Sequence, residues 1–308
     1  MTRAPPRLGV TLGDPRGIGP EVTAAALEAP PANLVIVGPS GTGVEPDLNV
    51  GHWDGGDEAE AGRLAGAAIE RAVTLALDGE VDGIVTAPID KTALAAAGYP
   101  YPGHTEMLQA LTSAPEVAML MAAERTRVGG ALRVNLATIH IPLSSVPQTL
   151  TVERLVSQTL LTASGLKDLW NIGEPRIALC ALNPHASDGG LFGHEEASVF
   201  TPAIEQLLRL DVRVVGPLPA DTVFGRAIAG EFDAVISPYH DVGMAVFKTV
   251  SFGAGVNVTL GLPFIRTSPD HGTALDIAGQ GRADPSSMQE ALRLAAGLAA
   301  RPRRVPME

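Results

Sequence analysis

Short apolar runs of strand length alternate with longer helical stretches along nearly the whole chain, and this alternation constrains the fold more than any single motif. The apolar runs fall at residues 8–12, 34–37, 83–86, 132–139, 176–182, 212–215 and 234–236. Helical patterning occupies residues 57–77, 105–111, 152–163, 195–208, 221–229 and 286–299. Strands joined by helix-length crossovers predict βα units and a largely parallel sheet covered on both faces. The Gly/Pro-rich segment 39–56 has no such pattern and reads as an exposed loop. Arg301-Pro302-Arg303-Arg304 reads as a frayed, solvated tail. There is no internal repeat.

Composition narrows the class of partner. With 308 residues and 45% hydrophobic content, the chain has material for two lobes with their own cores. A net charge of −12 and a pI near 5.0 argue against nucleic acid or an anionic membrane as a partner, since both reward a basic surface. Any anionic ligand must then be held by local positive charge. No stretch approaches the roughly 18 apolar residues of a membrane span, and the start of the chain has no long apolar core. Neither export nor a membrane span is inferred. The single cysteine, Cys180, lies in an apolar run and reads as a buried thiol, which fits a reducing cytoplasm.

Chemistry-bearing residues gather after the strands. Three strand-like runs end on histidines, namely His140, His185 and His240, and open α/β sheets bind ligands beyond the carboxyl ends of their strands. Three imidazoles there suit a divalent transition metal. Their spacing matches no short zinc motif, so the reading in which each histidine only caps a strand or fills a core edge stays open. Lys248, Asn257, Arg266 and His271 follow among glycines and prolines, offering cations for an anion and groups that move protons. Tyr101-Pro102-Gly103-His104-Thr105-Glu106 precedes a helix that Thr105 can cap, and such a helix start attracts phosphate, with His104 as a further donor. A plain N-cap explains the same residues. The loop Gly13-Asp14-Pro15-Arg16-Gly17-Ile18-Gly19-Pro20-Glu21 opens another helix, with Pro20 suited to its first turn, but it is neither a dinucleotide fingerprint nor a P-loop. Gly38-Pro39-Ser40-Gly41-Thr42-Gly43 has the wrong order for a Rossmann turn and receives no role.

In order, these motifs resemble the 4-hydroxythreonine-4-phosphate dehydrogenase family of pyridoxal phosphate biosynthesis, over about residues 8–292. Segment 271–281 is similar to the nucleotide-binding stretch of isocitrate and isopropylmalate dehydrogenases. The chain departs from the family's pattern at Arg16 (usually Ala), Asp90 (usually Asn or Ser), Ser187-Asp188 (usually Gly-Glu) and Val242 (usually Gln).

The resemblance implies an isocitrate/isopropylmalate-dehydrogenase-like, two-lobed α/β/α fold with a central cleft. Residues 1–130 plus 239–308 would form the nucleotide-binding lobe, and residues 131–238 a middle lobe with metal ligands and dimer contacts. It implies a divalent metal (Zn, Mg, Co or Mn) on His140, His185 and His240, in a site its members build between the subunits of a homodimer. His104, Thr105, Lys248, Asn257 and Arg266 correspond to substrate-binding positions; His271, Gly272, Thr273 and Asp276 fall in the stretch for NAD or NADP. Lys248 is also the candidate for proton transfer. The implied reaction oxidises and decarboxylates 4-hydroxythreonine 4-phosphate to 3-amino-2-oxopropyl phosphate and carbon dioxide. Oxidation of 4-phosphothreonate or 4-phosphoerythronate is the near alternative, and a phosphate acyltransferase the distant one.

Overall fold

The computed structural model describes residues 5–301, so the tail positions 302–304 lie outside the described residues. The described residues form two compact units: residues 5–117 together with 256–301, and residues 118–255. The sequence reading had put the lobe boundaries near 130 and 238. The strands are β1 (Arg7–Thr11), β2 (Asn33–Ser40), β3 (Leu48–His52), β4 (Gly83–Thr86), β5 (Ala118–Ala123), β6 (Leu132–Leu136), β7 (Ile177–Cys180), β8 (Val214–Leu218), β9 (Ala234–Ser237), β10 (Val256–Leu260) and β11 (Ile265–Pro269).

The first unit orders its strands β3-β2-β1-β4-β11-β10, all parallel except β10, which runs antiparallel to β11. Helix Glu58–Leu77 covers one face. Asp57 caps it by accepting from Glu60 N at 2.9 Å, and Ala61, Leu64, Ala65, Ala68, Ile69 and Ala72 form the buried stripe expected of a 3.6-residue period. Ala68, Ile69 and Ala72 of this stripe pack in one cluster with Val35, Val37 and Ile84. A Cβ at Gly62 would sit 1.9 Å from Ala93 O, so glycine there lets helix Lys91–Ala96 lie directly against it. Helix Ser286–Ala300 packs on β11, β4 and β10 with Met288, Ala291, Leu292 and Ala295 buried, and Thr267 Oγ1 donates to Ala291 O at 2.9 Å.

The second unit orders its strands β5-β6-β9-β7-β8, parallel except for β5 against β6. Alternation along the strands divides its core in two. Ala178, Cys180 and Val235 meet Phe224 and Phe247, while Ile177, Leu179 and Ile236 meet Leu155, Phe200 and Leu207. Burial pushes the Cys180 thiol up to about 12, so it stays protonated and unreactive.

Four features differ from the sequence reading. The 39–56 loop contains β3, an edge strand whose half-exposed residues hide any apolar pattern and whose order comes from pairing with β2. The glycine-rich stretch after residue 255 begins as the hairpin β10–β11, and residues 240–251 are a helix. β5 is a continuous apolar run of Ala, Met and Leu, residues that favour helix as readily as strand, so its type is set by pairing with β6. No helix among the described residues is long and apolar enough to cross a membrane.

Candidate functional site

In the first unit, antiparallel pairing of β10 with β11 puts Asn257, Thr259, Arg266 and Ser268 on one face of the sheet. Arg266 is 1% exposed, and its NH1 and NH2 donate to Thr259 Oγ1 at 2.9 Å and Thr86 Oγ1 at 2.7 Å. Its Nε has no partner, and among the described residues no carboxylate pairs with it. Burial pulls its pKa to about 10, with only the field of Glu106 opposing. A buried cation lacking a counter-ion is costly, which makes this guanidinium the candidate for an anionic ligand.

His104 begins helix His104–Thr112 beside it. The cap is Gly103 and not Thr105, because Thr105 lies already inside the first turn, and no side chain caps the helix. Its first amides therefore point outward with the positive end of the helix dipole. His104 Nε2 is buried without a partner, although part of the residue reaches solvent. Burial, followed by the charges of Arg266 and Lys91, holds its pKa well below 6.5, so the ring stays neutral. Among the described residues seven buried side-chain polar atoms have no hydrogen-bond partner, and four of them, on His104, Asn257, Arg266 and His271, belong to residues marked in the sequence. Native proteins rarely leave such atoms unpaired except where a ligand or water meets them.

The segment containing His271, Gly272, Thr273 and Asp276 docks on the first loop of the same unit. Ile18 N donates to Thr273 O at 2.9 Å, and a Cβ at Gly17 would come within 2.8 Å of that oxygen. Glu21 accepts from Gly279 N at 2.9 Å and from Ala283 N at 3.0 Å. A cleft of about 470 Å³ lies between them, lined by Arg16, Glu21, Thr42, Trp53, Gly279 and Gly281. Thr42 and Trp53 had received no role, because only tertiary packing carries them to the cleft. Asp276 is exposed.

In the second unit, β6, β9 and β7 are adjacent and parallel, so the segments bearing His140, His240 and His185 leave the same edge of the sheet. Thr138 Oγ1 donates to Pro238 O at 2.8 Å and Ala137 N to Ser237 O at 2.9 Å, tying the first two exits together. The His140 and His240 ring centres are 5.7 Å apart. Two imidazoles that share one ion at a metal–nitrogen distance of about 2.0–2.1 Å have ring centres about 5–6 Å apart, so this pair fits two positions of a metal site. His240 Nδ1 contacts Asp241 Oδ1 at 2.7 Å, so Nε2 is the ring nitrogen turned to other partners. His185 is exposed and does not join them: among the described residues no three His, Cys, Asp or Glu side chains converge to hold a metal. Lys248 is eight residues beyond His240 on helix His240–Ser251.

The family described as pyridoxal phosphate biosynthetic protein PdxA matches residues 39–295. The chain is 42% identical to the 4-hydroxythreonine-4-phosphate dehydrogenase of Desulfosudis oleivorans, over 96% of each chain. It belongs to the PdxA family. The 4-hydroxythreonine-4-phosphate dehydrogenase of a Ruegeria species is also 42% identical, over 97% of this chain and 98% of that one. The crystal structure of the Klebsiella pneumoniae 4-hydroxythreonine-4-phosphate dehydrogenase superposes with a TM-score of 0.84 at 37% identity, covering 96% of this chain and 99% of that one.

Two departures from the PdxA pattern meet in this structure. Arg16 clamps the fully buried Asp14 through two bonds, Nε to Oδ1 at 3.1 Å and NH2 to Oδ2 at 2.8 Å, and the same NH2 lies 3.7 Å from Asp90 Oδ2. Asp90 Oδ1 caps helix Lys91–Ala96 from Thr92 N at 2.7 Å and Ala93 N at 3.2 Å. A third departure, Ser187, sits in a run of left-handed residues from His185 (φ 51°) to Gly189 (φ 70°). Ser187 donates its hydroxyl to the buried Glu196, which also accepts from Leu182 N at 2.9 Å, Asn183 N at 2.7 Å and Asn183 Nδ2 at 2.8 Å.

Proposed function

We propose that this PdxA-family protein oxidises 4-hydroxythreonine 4-phosphate with a nicotinamide cofactor and releases carbon dioxide and 3-amino-2-oxopropyl phosphate. The observation that carries the reading is Arg266, a buried guanidinium with no carboxylate partner, beside the neutral His104 and an uncapped helix start. Together they offer a phosphate a fixed cation, a ring nitrogen and outward-facing amides. Thr86 and Thr259 hold the guanidinium in one orientation, so the substrate meets a prepared site. Asn257, with Oδ1 buried and unpartnered, supplies a further polar contact on the same face.

The cofactor takes the cleft between the first loop and residues 271–281, where Gly279 and Gly281 allow close backbone approach. His140 and His240 of one chain, joined by a His185 from a second copy, would hold a divalent ion. When bound, the nicotinamide accepts hydride and the ion polarises the substrate's oxygens, chemistry no side chain supplies. Lys248 moves the proton of the reacting hydroxyl. Loss of hydride from the carbon bearing that hydroxyl leaves a β-keto acid, from which carbon dioxide departs readily.

A second copy of the chain completes the metal site in this reading. His185 stands in an exposed loop with Leu191 and Phe192, which are 72% and 45% exposed, an apolar surface suited to a protein partner. The test of the function is turnover on the phosphorylated substrate compared with its dephosphorylated counterpart. A large preference for the phosphorylated form is expected, and equal efficiency on both would refute the role given to Arg266 and His104.

A further inference from the structure

We infer that Lys91 is a further residue of the anion site, placed to contact the substrate's phosphate beside Arg266 and His104. The inference rests on the phosphate reading above and adds a residue that the sequence motifs left without a role. Lys91 opens the helix that follows β4, the strand whose Thr86 holds Arg266. Its Cε lies 3.5 Å from where a Cβ on Gly103 would stand, so its side chain runs beside the uncapped start of helix His104–Thr112. Its charge also reaches His104, whose proton affinity it lowers together with Arg266. Lysine ammonium, helix amides, imidazole and guanidinium therefore surround one region of the first unit.

The surroundings of Lys91 explain why it is available. Its sequence neighbour Asp90 is the obvious salt-bridge partner, but that carboxylate is spent on capping the helix and on Arg16. Glu106 borders the same glycine without forming an ion pair with Lys91. Among the described residues no carboxylate pairs with Lys91, and the residue is exposed. Lys91 and the buried, unpaired Arg266 both act on His104, and a doubly charged phosphate at that ring would meet both cations. In this chain the Arg16–Asp90 contact thereby acts as a positioning pair: it draws Asp90 away from Lys91.

Calorimetric titration with inorganic phosphate tests this directly, because it needs neither cofactor nor turnover. Lys91→Gln is expected to weaken phosphate binding at least about tenfold, equivalent to about 1.4 kcal/mol, with an unchanged melting temperature. Lys91→Arg should recover part of the loss, and Lys167→Gln, which removes the same charge elsewhere, should change binding less than twofold. Equal phosphate affinity in Lys91→Gln and the unaltered protein would place Lys91 outside the site, and failure of the unaltered protein to bind phosphate at all would overturn the anion site together with the role of Lys91. If phosphate binds with the predicted dependence on Lys91 but 4-hydroxythreonine 4-phosphate is not oxidised, the proposed activity fails and the anion site stands.

Discussion

The environment of Arg266, buried and held by two threonine hydroxyls, predicts how it responds to substitution. Lysine keeps the charge but cannot donate to Thr259 and Thr86 while presenting a further N–H to a ligand. Arg266→Lys should lower kcat/KM for the phosphorylated substrate by about 10–100-fold, or about 1.4–2.7 kcal/mol at the transition state. Wild-type efficiency in that variant would remove the residue from the site. His104 makes a separate prediction, about pH. Its folded pKa lies well below 6.5, so the unfolded chain takes up the proton first as pH falls. Stability from this residue is intact above about pH 6.5, declines as pH drops below that value, and levels off under the folded pKa. Replacing His104 with Asn should flatten that part of the stability curve. An identical acid limb in the two proteins, followed by denaturant unfolding across pH, would contradict the account.

Elements with strong local signals were legible in the sequence, and those made by tertiary contact were not. Helix Glu58–Leu77 announces itself through its Asp57 cap and apolar stripe, and the buried β7 and β9 through continuous apolar runs. β3 and the β10–β11 hairpin depend on neighbouring strands to satisfy their backbones. Helix His240–Ser251 was missed because its start reads as the Ser-Pro-Tyr-His loop after β9 and no side chain caps it. At the site, the placing of the three histidines beyond the carboxyl ends of parallel strands could be read from the sequence, while the order β6-β9-β7 that sets them at neighbouring exits is a finding of the structure. Which two come together could not be read either, since that depends on the Thr138–Pro238 and Ala137–Ser237 bonds. The left-handed turn bearing His185 gives an element-scale prediction. Glu196 accepts two backbone amides and two side chains there, so Glu196→Ala strands buried donors and should cost about 2–4 kcal/mol. Glu196→Gln, which keeps an acceptor oxygen, should cost less. Denaturant unfolding that shows a loss under about 0.5 kcal/mol for the alanine variant would mean that the loop is held by other contacts.

At the scale of the whole molecule, an acidic chain of net charge −12 would meet an anion at one buried cation, Arg266, with the exposed Lys91 nearby. The metal reading adds a requirement for two copies. His140 and His240 are paired within one chain while His185 is not, so homodimers of His185→Ala and of His240→Ala should each be inactive. Mixed under conditions that exchange subunits, they should regain activity, because one site of each hybrid again has all three histidines. No recovery in a mixture shown to contain hybrids would contradict the shared site. The central claim is the reaction itself, and the most direct measurement of it is reduction of NAD or NADP, with a divalent metal present, on a panel of phosphorylated four-carbon hydroxy acids. The account predicts the highest kcat/KM on 4-hydroxythreonine 4-phosphate; an efficiency at least about tenfold higher on 4-phosphothreonate or 4-phosphoerythronate, about 1.4 kcal/mol at the transition state, would contradict it.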